Sequence, residues 1–328
     1  MCLERDLRTY LQFYKRPELK QTSYDTILRT AENMIIPFLG SSETSKITSF
    51  DVIEVMNKLR YEKNYSYYSL KRTRDLLNSF YEFAVSEKLA ERNVIETVHC
   101  KNTEASSKKI PLFFTLNEIK RFSAAALEQK TNGEYARFYG PLMLVYLHTG
   151  CRLGELLALK REEDFDKKSR KIVIHSDIEQ ISRIGADGER KGGCKIIHQE
   201  SPKTKSSNRT LYLNDTSLNI LNYYYSESKI RNCEYLIPPF KKGNLSASPS
   251  SVQSTFTAIC NKAGISKHKG IHTLRHTFAT HLFKNGVDIK TVSALMGHAS
   301  VRITYDIYCH IIEEELPDVV GILDEVFS

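Results

Sequence analysis

Apolar residues in the first hundred positions recur at helical spacing, so this stretch is predicted to be almost wholly α-helical. Ser23 is expected to cap a helix that turns Ile27, Ala31, Met34 and Ile35 inward and stops at Pro37 and Gly40. Thr48 is expected to cap a second helix, carrying Val52, Val55, Met56 and Leu59, and a third spans residues 66–88 with Leu70, Leu77, Phe80, Tyr81 and Ala84 buried. The pattern breaks over residues 101–111, where small polar residues, Lys108, Lys109 and Pro111 read as a linker. Thr115-Leu-Asn-Glu118 is a capping box that opens a second domain, with helices to about Leu159. Residues 171–181 alternate as one strand. A turn rich in glycine (Gly185, Gly188, Gly192, Gly193) leads to a second strand at 194–198, and a third covers 209–213. Helices resume at Asp215, with Asn214 or Asp215, Asp288 and Ser300 as caps and Gly286 and Gly297 as stops. The expected fold is mainly α with a small antiparallel β-sheet, in two domains: 1–100 and 112–311, joined by the linker. Residues 312–328 would form a short amphipathic helix showing Leu316, Val319, Val320, Leu323 and Phe327 on one side.

Composition narrows the class. A chain of 328 residues, 41% hydrophobic and 26% charged, suits about two globular domains. No apolar run approaches the roughly 20 residues that span a bilayer. The start, Met1-Cys-Leu-Glu-Arg-Asp, puts charges where a signal peptide needs an apolar stretch, so a cytoplasmic protein is expected. Seven scattered cysteines without a Cys-x-x-Cys pair suggest reduced thiols rather than a disulfide framework. The net charge is +8, yet residues 312–328 hold six acidic side chains and no basic one; setting those six aside leaves +14 on the rest. A positive body with an acidic tail suits a polyanionic partner. Lys71, Arg72 and Arg74, preceded by Tyr65, Tyr67 and Tyr68, can grip a DNA backbone, or can simply form a solvated basic face. Lys108 and Lys109 carry the same two readings for the linker.

Chemistry concentrates in the second domain. Arg152, in Gly150-Cys-Arg-Leu-Gly154, enters an apolar helix at its start, where backbone N–H groups also favour an anion. Glu155 can hold the arginine or cap the turn. In His272-Thr-Leu-Arg275-His276, helical spacing puts both histidines and the arginine on one face, with His276 expected to be a packed or hydrogen-bonded core histidine. Zinc is disfavoured although His272 and His276 lie four apart, because Thr273 stands where a metalloprotease needs glutamate. Gly297-His298 leads to Tyr305 and Tyr308. The two tyrosines compete as nucleophile, and Tyr305 is expected to pack. Lys203 and Lys205 precede the last strand, where either can be an ordinary surface lysine. Two arginines, histidines and a phenol suit metal-free attack on a phosphodiester, needing neither metal nor cofactor.

The order Arg152, Lys203, His272-x-x-Arg275, Gly297-His298 and Tyr308, spread over residues 111–311, resembles the tyrosine recombinase (phage integrase) family; residues 1–100 are similar only in general helical character to that family's core-binding domain. The resemblance implies a clamp on double-stranded DNA and a catalytic domain that forms a 3′-phosphotyrosyl link and frees a 5′-hydroxyl. Arg152 and Arg275 would hold the phosphate, His272 would help ionise Tyr308, His298 would bond the phosphate, and Lys203 would protonate the leaving oxygen, with Lys205 in reserve. It further implies dimers to tetramers on DNA, a tail docked on a neighbouring protomer or on its own domain, and room for an accessory DNA-bending protein. The glycine-rich insertion at 182–198 leans toward a mobile-element integrase over a chromosome dimer resolvase or inversion switch. Such integrases often carry an N-terminal arm-binding domain; room for one is not expected here, so the sequence would be either a truncated form or a simpler enzyme. A non-catalytic DNA binder is the reading from another class, since residues 278–298 run helix–glycine–helix; a type IB topoisomerase would share the chemistry.

Overall fold

In a computed structural model of the chain, residues 2–101, 111–199, 208–241, 245–266 and 270–314 are described. Contacts divide the chain into two units: Met1–Ser107 with Ile181–Lys195, and Lys108–Gln180 with Ile196–Ser328.

The first unit is built on helices α1 (Leu3–Tyr10), α2 (Arg16–Glu18), α3 (Gln21–Thr30), α4 (Ile36–Leu39), α5 (Ser49–Asn57) and α6 (Tyr67–Ser86). Its core gathers Leu3, Leu7, Leu28, Ile35, Val52, Leu77, Phe80 and Tyr81. Thr48 caps α5 as expected, through a reciprocal box with Asp51, and Ser66 caps α6. Ser23 does not cap α3. The helix begins a turn earlier, with Lys20 at the N-cap, and Ser23 lies inside it. Pro37 does not stop the helix either. The backbone widens into a π turn over Ala31–Ile35, in which the Ile36 N–H reaches back to the Ala31 carbonyl. The wider turn accommodates a residue that has no N–H and whose ring would crowd the carbonyl four positions back.

The second unit holds α7 (Leu116–Ala126), α8 (Leu142–Thr149) and α9 (Leu153–Ala158), then strands β1 (Phe165–Asp166), β2 (Lys171–Ile174) and β5 (Arg209–Tyr212), together with the parts of β3 (Asp177–Ile184) and β4 (Arg190–Gln199) outside residues 181–195, which belong to the first unit. It ends with α10 (Asp215–Ile230), α11 (Pro249–Lys262), α12 (His272–Lys284), α13 (Ile289–Met296) and α14 (Val301–Glu314). Helix α8 is apolar around its circumference because it runs through the core, which also takes in Phe114, Phe122, Leu156, Leu221 and Phe256.

Residues 171–181 form two strands in two sheets, not one strand. Strand β2 lies between β1 and β5, with Ile172 opposite Phe165 and Leu211, whereas β3 pairs with β4. The break falls at His175 and Ser176. His175 leaves the ladder to bond the buried Asp164 carboxylate at 2.6 Å, and the Ser176 hydroxyl donates to the Ala158 carbonyl. Within the first unit, the outer part of the β3–β4 hairpin is fastened to helices. Gln12 and Arg16 donate to the Ala186 carbonyl, Tyr24 donates to the Gly188 carbonyl, and Arg190 pairs with Glu32. The glycine-rich insertion was expected to belong wholly to the catalytic domain, but the hairpin tip shares its packing with the helical unit. Among the described residues, no helix is long and apolar enough to cross a membrane.

Candidate active site

Helix α8 ends at Gly150 in the left-handed conformation (φ +60°), and the chain turns through Cys151 into α9 with Arg152 as its N-cap residue. Glu155, three residues on and buried, accepts from the Arg152 backbone N–H at 2.7 Å through one oxygen and from its guanidinium at 2.7 Å through the other. Both options for Glu155, holding the arginine and capping the turn, are therefore realised.

Arg275 enters from α12. It is 6% exposed, and its guanidinium donates to the Gly150 carbonyl at 2.6 Å and the Met296 carbonyl at 2.7 Å. Arg152 donates to the next carbonyl, that of Gly297, at 3.2 Å. Two arginines distant in sequence thus bind adjacent carbonyls of one turn and face the same place. Burial and the Arg152 charge lower the pKa of Arg275 to about 10. A guanidinium in that position gains from any anion brought beside it.

The turn follows α13, where Gly297 is again left-handed (φ +65°). It carries His298, whose Nδ1 shares a 2.7 Å hydrogen bond with the buried Thr304 hydroxyl. That bond leaves Nε2 available. Burial and the cluster of Arg275, Arg152 and Arg209 depress His298 to about 4, so it is neutral at pH 7.

Tyr308 is wholly buried on α14, in a small apolar cluster with Ala279, Phe283, Val292 and Met296. Its hydroxyl lies 2.7 Å from Nδ1 of His276, and the phenol donates when the imidazole proton is on Nε2. Burial raises the Tyr308 pKa well above the ordinary phenol range, with Arg275 pulling the other way. Burial, then His272 and Arg275, lowers His276 to about 4.

Two expectations are corrected here. The histidine beside Tyr308 is His276, not His272: one α12 turn of register puts position 276 against α14, while the Nδ1 of His272 meets the Tyr146 hydroxyl at 3.3 Å. Nor is Tyr305 the packed tyrosine; it is 45% exposed and Tyr308 is buried.

Arg209 went unrecognised in the sequence. At the start of β5 it donates to both Glu155 oxygens, at 3.2 and 2.8 Å, and to the Leu295 carbonyl at 2.7 Å. A signal was present: alternation puts Arg209 on the same strand face as Leu211 and Leu213, the buried face. Burial pushes the Glu155 carboxyl upward, but Arg209 and Arg152 more than offset this and hold it below the usual range.

In the first unit Lys71 and Arg72 are exposed on α6. Arg74 is partly engaged in the unit's own structure, donating to the Val98 carbonyl at 3.1 Å and pairing with Asp75. Lys203, Lys205, Lys108, Lys109 and the tail beyond Glu314 lie outside the described residues.

The chain matches the phage integrase family over residues 113–315 and the phage integrase central domain over residues 6–100. It is 31% identical over 300 residues to the tyrosine recombinase XerC-like protein of Caldanaerobacter subterraneus subsp. tengcongensis, covering 88% of this chain and 74% of that protein. It is 26% identical to the prophage ps2 probable integrase of Lactococcus lactis subsp. lactis, over 95% of this chain and 80% of the other. The fold matches that of the Tn1549 transposon integrase, solved with a circular intermediate DNA, at a TM-score of 0.72 over the whole of both chains and 18% identity. A lambda integrase dimer bound to a core site matches at 0.67, covering 97% of this chain and 79% of that one, at 17% identity. The chain belongs to the phage integrase family and is a tyrosine recombinase, an enzyme that cleaves and rejoins DNA site-specifically. The expected family and the mainly α, two-domain fold class are both met.

Proposed function

We propose that this recombinase integrates and excises a mobile DNA element in the cytoplasm, working as a dimer to tetramer on double-stranded DNA, with Tyr308 as nucleophile. The observation that carries the site assignment is the convergence of Arg152 and Arg275 on the adjacent carbonyls of Met296 and Gly297, next to His298. A phosphodiester seated there would exchange those carbonyls for its non-bridging oxygens and meet two forked donors. Its transition state gains negative charge, and guanidiniums already in place stabilise that charge without reorganising.

The Tyr308 oxygen attacks phosphorus while its proton passes to Nδ1 of His276. A phosphotyrosyl bond forms and the bond to the 5′-oxygen breaks. His276 suits this task because it is neutral at pH 7 and already in contact with the phenol. His298, oriented by Thr304, donates from Nε2 to a non-bridging oxygen, and His272, oriented by Tyr146, serves the same phosphate. Lys203 protonates the departing 5′-oxygen. Lys71 and Arg72 hold the DNA backbone from the first unit, with Lys108 and Lys109 adding charge from the linker and Arg74 in a lesser part.

The mobile-element role draws support from the prophage relative, which aligns over nearly the whole chain, and from the transposon integrase fold. The XerC-like relative favours chromosome dimer resolution as a second reading. Two measurements test the proposal. A substrate nicked near the cleavage site should trap a covalent adduct on Tyr308, and a wild-type protein that forms none refutes the site assignment. Sequencing the trapped DNA should return element ends; recovery of a single chromosomal site near the replication terminus favours the resolvase.

A further inference from the structure

Three guanidiniums and one carboxylate meet at the turn after α13. Arg152 and Arg275 donate to the adjacent Gly297 and Met296 carbonyls at the proposed phosphate position, while Arg209, its side chain only 8% exposed, donates to the Leu295 carbonyl and to both Glu155 oxygens. Glu155 is 3% exposed and divides its two oxygens between Arg152 and Arg209. With Glu155 and Arg152 alone, the carboxylate would cancel the charge of the arginine meant for the phosphate. Arg209 takes up that negative charge. The cluster of Arg152, Arg275, Arg209 and Glu155 then nets two positive charges, the number that a five-coordinate phosphoryl transition state approaches in negative charge.

The geometry agrees. Arg209 also donates to the Leu295 carbonyl, so it ties the start of α9 to the end of α13 and steadies the turn that presents His298. The Gly297 backbone packs directly on it: a Cβ built at Gly297 would lie 2.6 Å from the Arg209 guanidinium.

We infer that Arg209 is a positioning residue for the cleavage reaction: by neutralising Glu155 from behind, it leaves the Arg152 charge free for the scissile phosphate. This rests on the site assignment proposed above, whose own test is the Tyr308 adduct in the wild-type protein. Arg209 touches no reacting atom, so its effect passes through Glu155 and Arg152.

The test measures single-turnover adduct formation by the full-length protein on two nicked substrates. One carries an ordinary scissile phosphodiester and the other a methylphosphonate, which lacks the negative charge. Arg209→Gln should slow cleavage of the phosphodiester about a hundredfold, in line with loss of one preorganised electrostatic contribution. It should slow the methylphosphonate reaction about tenfold or less, because a neutral centre asks less of Arg152. Equal losses on both substrates would overturn the inference, since a merely structural defect does not read the charge of the phosphate.

Two further variants keep the question open to refutation if Arg209→Gln folds poorly. Glu155→Gln combined with Arg209→Gln removes the charge pair as a unit and again leaves Arg152 and Arg275 with two positive charges; it should recover at least tenfold over Arg209→Gln, or stay within about tenfold of wild type if the single variant cannot be measured. Arg209→Lys keeps the charge but loses the fork, and should stay within about tenfold of wild type on the phosphodiester. A double variant slower than those bounds, or a folded Arg209→Lys slowed a hundredfold, refutes compensation by charge.

Discussion

Two regions of the second unit that share helix α12 treat polarity in opposite ways. Around Arg152, Arg209 and Arg275 the protein buries charge and satisfies it: every one of these guanidiniums donates to a backbone carbonyl, and Glu155 joins two of them. Around Tyr308 it buries a neutral phenol among Ala279, Phe283, Val292 and Met296 and gives it one histidine. The first arrangement is set before substrate arrives, because rigid donors cost nothing to reorganise during the reaction. The second keeps the phenol protonated, since burial penalises the phenolate. On the proposed assignment, the site is charged where the phosphate would be held and uncharged at the nucleophile. Only an anion beside Arg275, and a base in contact, make ionisation worthwhile there.

The largest effect that would sharpen this contrast is at the nucleophile. Tyr308→Phe should abolish the covalent adduct on a nicked substrate, while Tyr305→Phe should retain it; an adduct that survives Tyr308→Phe moves the nucleophile elsewhere. Next comes the charged side. Arg275→Ala should slow cleavage by about 3 kcal/mol, a hundredfold or more, when measured by single-turnover adduct formation. The same variant should bind nonspecific DNA almost as well, since backbone affinity is spread over many contacts.

Acid offers a way to break the contrast without mutation. His276 and His298 titrate near 4 in the folded chain and near 6.5 when exposed. Below the unfolded value, the unfolded state binds more protons than the folded one. Their contribution is therefore intact above pH 6.5 and is lost progressively as the pH falls from 6.5 toward 4. The melting temperature should drop over that window in wild type, and less in a variant with both histidines changed to glutamine. A drop of the same size in both would show that other groups govern it. The smallest effect is expected at Tyr146→Phe, which removes the hydrogen bond to His272 and should cost about 1 kcal/mol in cleavage, roughly fivefold.

How far each region could be read in advance follows from the same contrast. Arg152 and Arg275 stood out as candidates because local signals flank them, a glycine turn and a helical face, while His298 and Tyr308 stood out through the family's Gly-His pair and Tyr-x-His ending. The caps at Thr48, Thr115, Asn214 and Asp288 were legible because a cap is a contact across three residues or fewer. That His276 and not His272 meets Tyr308 was hidden because the partner is on another helix, and spacing within α12 says which residues share a face but not which one meets α14. The strand break at His175 was hidden for a similar reason, as its cause is the Asp164 carboxylate, eleven positions earlier. Pro37 was read by its usual effect on an α-helix, and the π turn that absorbs it leaves no mark in apolar spacing.

Gly297 leaves the molecule with a place that admits almost no variation. An alanine there must adopt a left-handed backbone, at roughly 1–2 kcal/mol, and must also push aside a guanidinium that has nowhere else to go. Such a methyl group would unseat the grip on Glu155, tilt the two carbonyls that the other arginines hold, and swing the following imidazole away from its threonine. One hydrogen atom in place of a side chain keeps three distant stretches of polypeptide in register.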